Sequence, residues 1–135
     1  MPAEDDLEEI PGQAEWCVHG EITRWVDDEP QPGIVETRLT DRFGRDWLFI
    51  SKFYDVAEND LSPGSSYPRP GHLRCIVLSQ RRDETGREIV EIDTDDHPRG
   101  QESVDGASRF EVFADQLHAS HDWQRMYNVR LTALK

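Results

Sequence analysis

The stretch from Glu15 to Lys52 constrains the fold of this chain more than any other, because apolar and polar side chains alternate along most of it. Alternation with a period of two is typical of β-strands that are half buried. Polar and glycine-containing turns divide the stretch into three strand-like segments. These segments are residues 16–26, 34–40 and 46–52. The sequence therefore predicts three strands joined by two tight turns.

Two residues of the first segment depart from a regular strand. Gly20 lies near its middle, which predicts a bend or a bulge of the kind that lets a small barrel coil. Trp25 falls on the side of the strand that is otherwise polar, beside Arg24 and just before an acidic loop. Either Trp25 contacts a partner there, or it covers the open end of the barrel as part of the core.

The third segment is apolar on both faces. Trp47 and Phe49 alternate with Leu48 and Ile50, so neither side of this strand is polar. Such a pattern predicts a strand in the middle of the sheet, or one whose second face is covered. The turn before it ends at Gly44, which is free to adopt a positive φ.

Three further strand-like segments follow an irregular connection at residues 53–70. They cover residues 72–79, 88–94 and 108–113. Within the connection, a turn of helix is expected around residues 56–61, with Asp55 as its cap and Pro63 as its stop. A short helix near residues 115–125, followed by a frayed or strand-adding end, is expected at the end of the chain.

The order of three strands, an irregular connection and further strands is that of an OB-type barrel. We therefore predict a mostly β fold, a small five- to six-stranded antiparallel barrel that is OB-like or SH3-like; a small sandwich fits almost as well. The predicted organisation is an acidic flexible tail at residues 1–14, a single barrel-like domain at residues 15–114 and a C-terminal extension at residues 115–135.

Acidic residues dominate the charge of the chain. It carries 28 acidic and 15 basic side chains among 135 residues, with a net charge of −13. Six of the acidic residues lie within the first fifteen positions, which leaves 22 against the same 15 basic side chains. A surface this negative repels phosphate backbones and attracts basic partners, so generic nucleic-acid binding is disfavoured.

The two cysteines, Cys17 and Cys75, lie in strand-like patterns with apolar or aromatic neighbours, and we expect buried free thiols rather than a disulfide. The sequence contains neither an apolar run long enough to span a bilayer nor a secretion-type start. A cytoplasmic location without membrane contact is the resulting expectation. A dimer would form if an edge strand were left unpaired.

Recognised catalytic, phosphate-binding and paired-cysteine motifs are absent from the sequence, which favours a function other than catalysis. Two weaker patterns could hold a metal: His118 and His121 with Asp115 or Asp122, and the acidic run Asp93, Asp95, Asp96 and His97. A polar surface is the simpler interpretation of both, so no cofactor or metal is predicted. The same holds for the arginine cluster Arg81, Arg82 and Arg87, which is better explained as a solvated turn than as a phosphate contact.

These observations favour a small acidic protein-interaction domain that binds or neutralises a basic protein partner. In composition the chain is similar to acidic immunity proteins and to some regulatory adaptors. Trp, Tyr and Arg are frequent in the energetic centres of interfaces. The candidate partner-binding residues are Arg24, Trp25, Asp27, Asp28, Tyr54 and Tyr67. The alternatives are a ligand-binding or enzymatic barrel that uses the barrel mouth, and an OB-like nucleic-acid-binding domain.

Overall fold

A computed structural model describes residues 16–31, 33–57, 59–95 and 100–119 of the chain. Strands account for most of this part. They are β1 (Trp16–Asp27), β2 (Ile34–Thr40), β3 (Asp46–Lys52), β4 (Arg69–Arg82), β5 (Glu88–Asp93), β6 (Arg109–Phe113) and β7 (Leu117–Ala119). Two short 3₁₀ helices, Phe53–Asp55 and Ala114–Gln116, follow β3 and β6.

The strands form a strongly curled antiparallel half-barrel in the order β3-β2-β1-β4-β5-β6, with β7 paired to β1. Strand β4 returns beside β1 after the long connection, so the first four strands have the Greek-key order. The first half of β4 pairs with β1 and its second half with β5, and the register shifts between Val77 and Ser79. The prediction of a mostly β, barrel-like fold is confirmed.

The core lies on the concave face of this curled sheet. Alternate residues of the strands supply it, as the period-two pattern predicts. Its buried members include Val18, Ile22, Val35, Leu39, Phe49, Leu73, Cys75, Val90, Ile92, Phe110 and Val112. Phe53, Val56 and Leu61 from the connection after β3 complete it. The connection therefore packs onto the core instead of merely linking two strands.

Among the described strands, β3 lies at one end of the sheet order and pairs with β2 alone, so the prediction of a central position is wrong. Phe49 is fully buried on the concave face, whereas Ile50 on the other face is 42% exposed. Two backbone hydrogen bonds connect this side of the sheet to the β6 side, from Arg42 N to Glu111 O and from Val104 N to Leu48 O, both 2.8 Å. The apolar character of β3 therefore reflects partial coverage by neighbouring loops.

Several element boundaries differ from the predicted ones. Strand β4 begins at Arg69 and continues to Arg82, because the chain stays extended on both sides of the predicted segment. The helical turn expected around residues 56–61 lies earlier, at Phe53–Asp55, and Asp55 is inside it rather than capping it. The predicted helix near residues 115–125 is wrong over residues 115–119, where a 3₁₀ turn is followed by β7, so a strand is added earlier in the chain than expected.

The predicted acidic tail at residues 1–14 and the end of the C-terminal extension lie outside the described residues. Neither 3₁₀ helix is long and apolar enough to cross a membrane, and the described part of the chain contains no other helix. Cys17 and Cys75 are buried thiols that do not form a disulfide, as predicted. Burial, followed by the nearby thiol of Cys17, raises the pKa of Cys75 far above its usual range.

Candidate protein-interaction surface

Two irregularities in β1 explain why Trp25 breaks the alternation of its strand. The register with β2 shifts between Ile22 and Arg24 and again between Trp25 and Asp27. The extra residue, Thr23, rotates the following side chains, so Trp25 pairs with the buried Val35 and lies on the core side. The predicted irregularity of β1 therefore falls at residues 23 and 26 and not at Gly20.

Trp25 packs against the core at the end of the sheet where β1 ends, β2 begins and β3 ends. Its ring lies 6.0 Å from the ring of Phe53, and its indole Nε1 donates a 2.8 Å hydrogen bond to Asp28 Oδ1. A Cβ at Gly33 would lie 2.2 Å from the Trp25 ring, so the loop after β1 approaches the indole as closely as glycine allows. The interpretation of Trp25 as a cover for the barrel end agrees with this packing.

The end of β1 and the loop after it present three exposed carboxylates in succession, Asp27, Asp28 and Glu29. Asp27 Oδ1 accepts the Glu29 backbone N–H at 3.1 Å, and Gln31 Nε2 donates to Glu29 Oε2 at 3.2 Å. Among the described ion pairs, none involves any of these three carboxylates. Their negative charges are therefore available to a cation from outside.

Arg24, the predicted cation of this region, is already neutralised. Its Nη2 lies 3.1 Å from Glu36 Oε2, and Thr23 Oγ1 donates to Glu36 Oε1 at 2.6 Å. The hydroxyl of Thr23 in the first place, and Arg24 in addition, hold the pKa of Glu36 below its usual value. Arg24 thus forms an ion pair between β1 and β2 and does not neutralise the carboxylates of the loop.

Tyr54 lies next to this loop through Phe53. The Phe53 backbone N–H donates to Gly33 O at 3.1 Å, and the Phe53 ring lies 6.1 Å from that of Tyr54. Tyr54 is 49% exposed. We call the set of Trp25, Asp27, Asp28, Glu29 and Tyr54 the acidic aromatic surface. Phe53 lies between Trp25 and Tyr54, the two aromatic residues of this surface. Sequence reasoning missed Phe53, although a Phe-Tyr pair directly after a strand was an available signal.

Tyr67 belongs to a different environment. Its hydroxyl donates a 2.7 Å hydrogen bond to Ser62 O, and its ring is half-buried against the core. This hydrogen bond joins two residues of the connection before β4, so Tyr67 stabilises that connection. The structure therefore brings four of the six predicted residues, Trp25, Asp27, Asp28 and Tyr54, into the acidic aromatic surface. It pairs Arg24 with Glu36 and places Tyr67 in the connecting segment.

Two clefts are the candidates for the alternative function of ligand binding. One, of about 450 Å³, is lined by His19, Gly20, Glu21, Arg38, Thr40, Asp46 and Gln116. The other, of about 440 Å³, is lined by Asp41, Phe43, Arg45, Trp47, Glu91, Arg109, Phe110 and Glu111. In the first, Glu21 and Arg38 form an ion pair. In the second, the Arg45 guanidinium lies 3.9 Å from the centre of the Trp47 ring, so one face of this indole is occupied.

Three histidines from three strands meet beside the first cleft. The ring of His118 in β7 lies 4.6 Å from that of His19 in β1 and 6.4 Å from that of His72 in β4. Burial, and then the proximity of His118 and Arg74, lowers the pKa of His72 to about 4. Within the described residues, no group of three or more His, Cys, Asp or Glu side chains could hold a metal ion.

The two predicted metal patterns lie only partly in the described chain, because His121, Asp122, Asp96 and His97 are outside it. Asp93 Oδ1 accepts the backbone N–H of Asp95 at 2.8 Å, and its other oxygen lies 3.5 Å from Arg109 Nε. This carboxylate therefore serves as a turn cap and an ion-pair partner.

The arginine cluster at the β4–β5 turn is paired with carboxylates. Arg81 lies 2.7 Å from Glu111, Arg82 lies 3.4 Å from Glu88, and Arg87 lies 3.5 Å from Asp115. Each guanidinium thus has an anionic neighbour, in agreement with a solvated turn. A phosphate group would have to compete with these carboxylates.

No family model matches the chain, and neither a curated protein nor a solved structure matches it.

Proposed function

We propose that this chain is a small protein-interaction domain that binds a basic segment of a protein partner on the acidic aromatic surface. The observation that carries the proposal is that Trp25, which hydrogen-bonds Asp28, and the half-exposed Tyr54 both lie against the ring of Phe53, while Asp27, Asp28 and Glu29 make no described ion pair. Trp25 holds this arrangement in place through Phe53 and Asp28.

The carboxylates of the loop increase the rate of association with a cation more than they increase its affinity. An exposed ion pair at 4 Å contributes only about 1 kcal/mol in water, so three carboxylates provide modest affinity and faster association. The net charge of −13 extends the attraction to basic partners over the range of about 8 Å allowed by physiological salt.

The aromatic residues provide the contact area that charges lack. A tyrosine loses little conformational entropy on binding and combines an apolar ring with a polar hydroxyl. Arginine and lysine also stack on aromatic faces, each for about 0.5–1 kcal/mol at exposed sites. A segment that places a cation on the Tyr54 ring and others near residues 27–29 would use both features at once.

The cleft beside Trp47 supports a second candidate function, binding of a small molecule. Its lining combines three aromatic rings with two guanidiniums and three carboxylates, which is the mixture of apolar and polar groups typical of ligand sites. The stacked Arg45 would have to move before a ligand could use the exposed face of Trp47.

The proposal can be tested without knowing the partner, by selecting binders from displayed random peptides of about twelve residues. We expect the wild-type chain to enrich peptides rich in arginine and lysine. A variant with Asp27→Asn, Asp28→Asn and Glu29→Gln should lose this enrichment, because it removes the three charges and preserves the acceptor oxygens.

The matched control neutralises three exposed carboxylates elsewhere, through Glu84→Gln, Glu102→Gln and Asp105→Asn. It changes the net charge by the same amount, so it should still select basic peptides. Equal loss of enrichment in both variants would attribute the selection to overall charge and contradict a defined site. Selection of no peptide class by the wild-type chain would contradict the proposal itself.

A further inference from the structure

The edge of β3 that faces away from β2 is partly open. The backbone oxygen of Leu48 accepts a hydrogen bond from Val104 N, which lies outside the β2–β3 hairpin. The backbone N–H and C=O of Leu48 therefore point away from β2. Phe53, an odd-numbered residue, donates its N–H toward Gly33 beside β2. Backbone groups alternate in direction along an antiparallel strand, so Ile50 and Lys52 also point away from β2.

Coverage of this edge ends at Leu48. Within the described part of the chain, no hydrogen bond reaches the outward N–H and C=O of Ile50 or the N–H of Lys52. Lys52 C=O, as the N-cap of the 3₁₀ helix Phe53–Asp55, accepts the first bond of that turn. The backbone of Lys52 is extended, with φ −66° and ψ 142°, so it keeps the geometry of a strand. Exposed strand edges of this kind accept another strand unless a charge, a proline or a loop blocks them; the charge of Lys52 lies on a half-buried side chain that stands on one face of the sheet and not in the plane of strand pairing.

Side chains around the open edge define which strand would fit. Ile50, beside the edge, is 42% exposed. Its register partner in β2 is Glu36, which forms an ion pair with Arg24. Tyr54 follows two residues after Lys52. Asp27 lies in the same register row as Lys52 but two strands across, because Asp27 pairs with Ile34 and Ile34 with Lys52, so the acidic loop is at the same end of the sheet. An added strand would therefore meet an apolar side chain first and then the acidic aromatic surface.

We propose that the basic segment binds as an additional β-strand along the open edge of β3 at Ile50 and Lys52, with its basic residues continuing past Tyr54. This inference rests on the proposed function and specifies the conformation of the partner segment. Added strands derive affinity from main-chain hydrogen bonds and specificity from alternate side chains. Apolar residues of the segment would lie beside Ile50, and its cations would face the carboxylates.

Charge decides between a basic segment and a second copy of this chain as the occupant. Each copy carries a net charge of −13, so two copies joined edge to edge would repel each other. A basic strand is attracted by the same charge. The net negative charge of the chain therefore favours a partner of opposite sign over a second copy.

The test measures amide hydrogen exchange of Ile50 and Lys52 in the full chain by NMR. The probe is a peptide of about twelve residues that alternates arginine and valine. The control peptide has the same number of arginines but prolines at both odd and even positions in place of valines, so neither of its edges can pair as a strand. We expect the alternating peptide at saturation to slow exchange of both amides by about tenfold or more. The proline-containing peptide should leave their exchange unchanged.

A variant supplies an independent measurement. Ile50→Pro removes an outward N–H without removing a donor from the β2–β3 ladder, and edge strands tolerate proline. It should weaken binding of the alternating peptide by about tenfold and leave that of the proline-containing peptide unchanged. Ile50→Thr, which keeps the N–H and the β-branched shape, should restore most of the affinity.

The outcomes separate this inference from the proposed function. Binding of both peptides with NMR shifts at Asp27–Glu29, but without slower exchange at Ile50 and Lys52, would overturn the added strand and leave the proposed function standing. Failure of both peptides to bind would overturn the two together. If the amides of Ile50 and Lys52 exchanged slowly without peptide, and more slowly at higher protein concentration, the occupant would be a second copy and the basic segment would be overturned.

Discussion

Trp25 Nε1 donates a 2.8 Å hydrogen bond to Asp28 Oδ1, so the side chain that covers the end of the core also orients a carboxylate of the acidic aromatic surface. One residue thus serves stability and site geometry at once. Removing Trp25 would alter both, and loss of binding alone would not show that its ring contacts a partner. Variants that separate the two roles are therefore needed.

Trp25→Ala should lower the free energy of unfolding by about 2–3 kcal/mol, because it removes a half-buried ring that packs against Phe53. Trp25→Phe keeps an aromatic ring there and should cost less than half as much. Urea unfolding of both variants checks this. Equal stability of the alanine variant and the wild-type chain would show that the indole contributes little to the core.

Tyr54→Ala should change the free energy of unfolding by less than about 0.5 kcal/mol, because its side chain is half exposed and makes no described hydrogen bond. It should weaken binding of the arginine–valine peptide about tenfold, as measured by calorimetry. The matched control is Phe43→Ala, which removes a ring that is 68% exposed in the β2–β3 turn and should leave the affinity unchanged. A larger effect of the control would place the binding site near Phe43.

Gly33→Ala should be much more destabilising than Gly44→Ala. Both glycines have positive φ, 135° and 82°, but a Cβ at Gly33 would lie 2.2 Å from Trp25, whereas nothing lies within 4 Å of one at Gly44. We expect an additional cost of about 2 kcal/mol or more at Gly33, from overpacking and from a φ that only glycine adopts readily. Similar melting temperatures of the two variants would contradict the tight contact between loop and indole.

His72 should make the chain less stable in acid. Its pKa is lowered to about 4 in the fold from an ordinary value near 6.5, so between these values the unfolded chain binds the proton more readily. This contribution is neutral above about pH 6.5, grows as pH falls and levels off below about pH 4, at about 3 kcal/mol of lost stability.

The difference in unfolding free energy between His72→Gln and the wild-type chain isolates this effect, because the carboxylates are common to both. The difference should change in favour of the variant by about 3 kcal/mol between pH 7 and pH 4. His19→Gln, at an exposed neighbour in the same cluster, serves as the control. A pH-independent difference for His72→Gln would show that His72 titrates normally in the fold.

The alternation of side chains was enough to predict the strands, but not the position of every side chain along them. The first three strands and their turns follow from residues 16–52, and Gly44 adopts the positive φ expected of its turn. The bulge at Thr23 was not predictable, because it depends on the register between β1 and β2. It is the reason why Trp25 faces the core although its sequence neighbours suggest a polar side.

Long-range placement accounts for the remaining differences. An apolar pattern on both faces of β3 indicated burial, and coverage by Val104 and its neighbours cannot be distinguished from a central position by pattern alone. Phe53 joins Tyr54 to Trp25 through a contact between residues far apart in the chain, as do the histidines of β1, β4 and β7. Single-strand periodicity contains no information about such pairs.

Chemical-shift mapping of the ¹⁵N-labelled chain with the arginine–valine peptide, at about 50 mM and about 300 mM salt, tests the central claim most directly. We expect the largest shifts at Trp25, Asp27–Glu29 and Tyr54, and a several-fold weaker affinity at the higher salt concentration. Shifts centred on the cleft formed by Trp47, Glu91 and Arg109, or an affinity that does not respond to salt, would contradict a basic partner bound at the acidic aromatic surface.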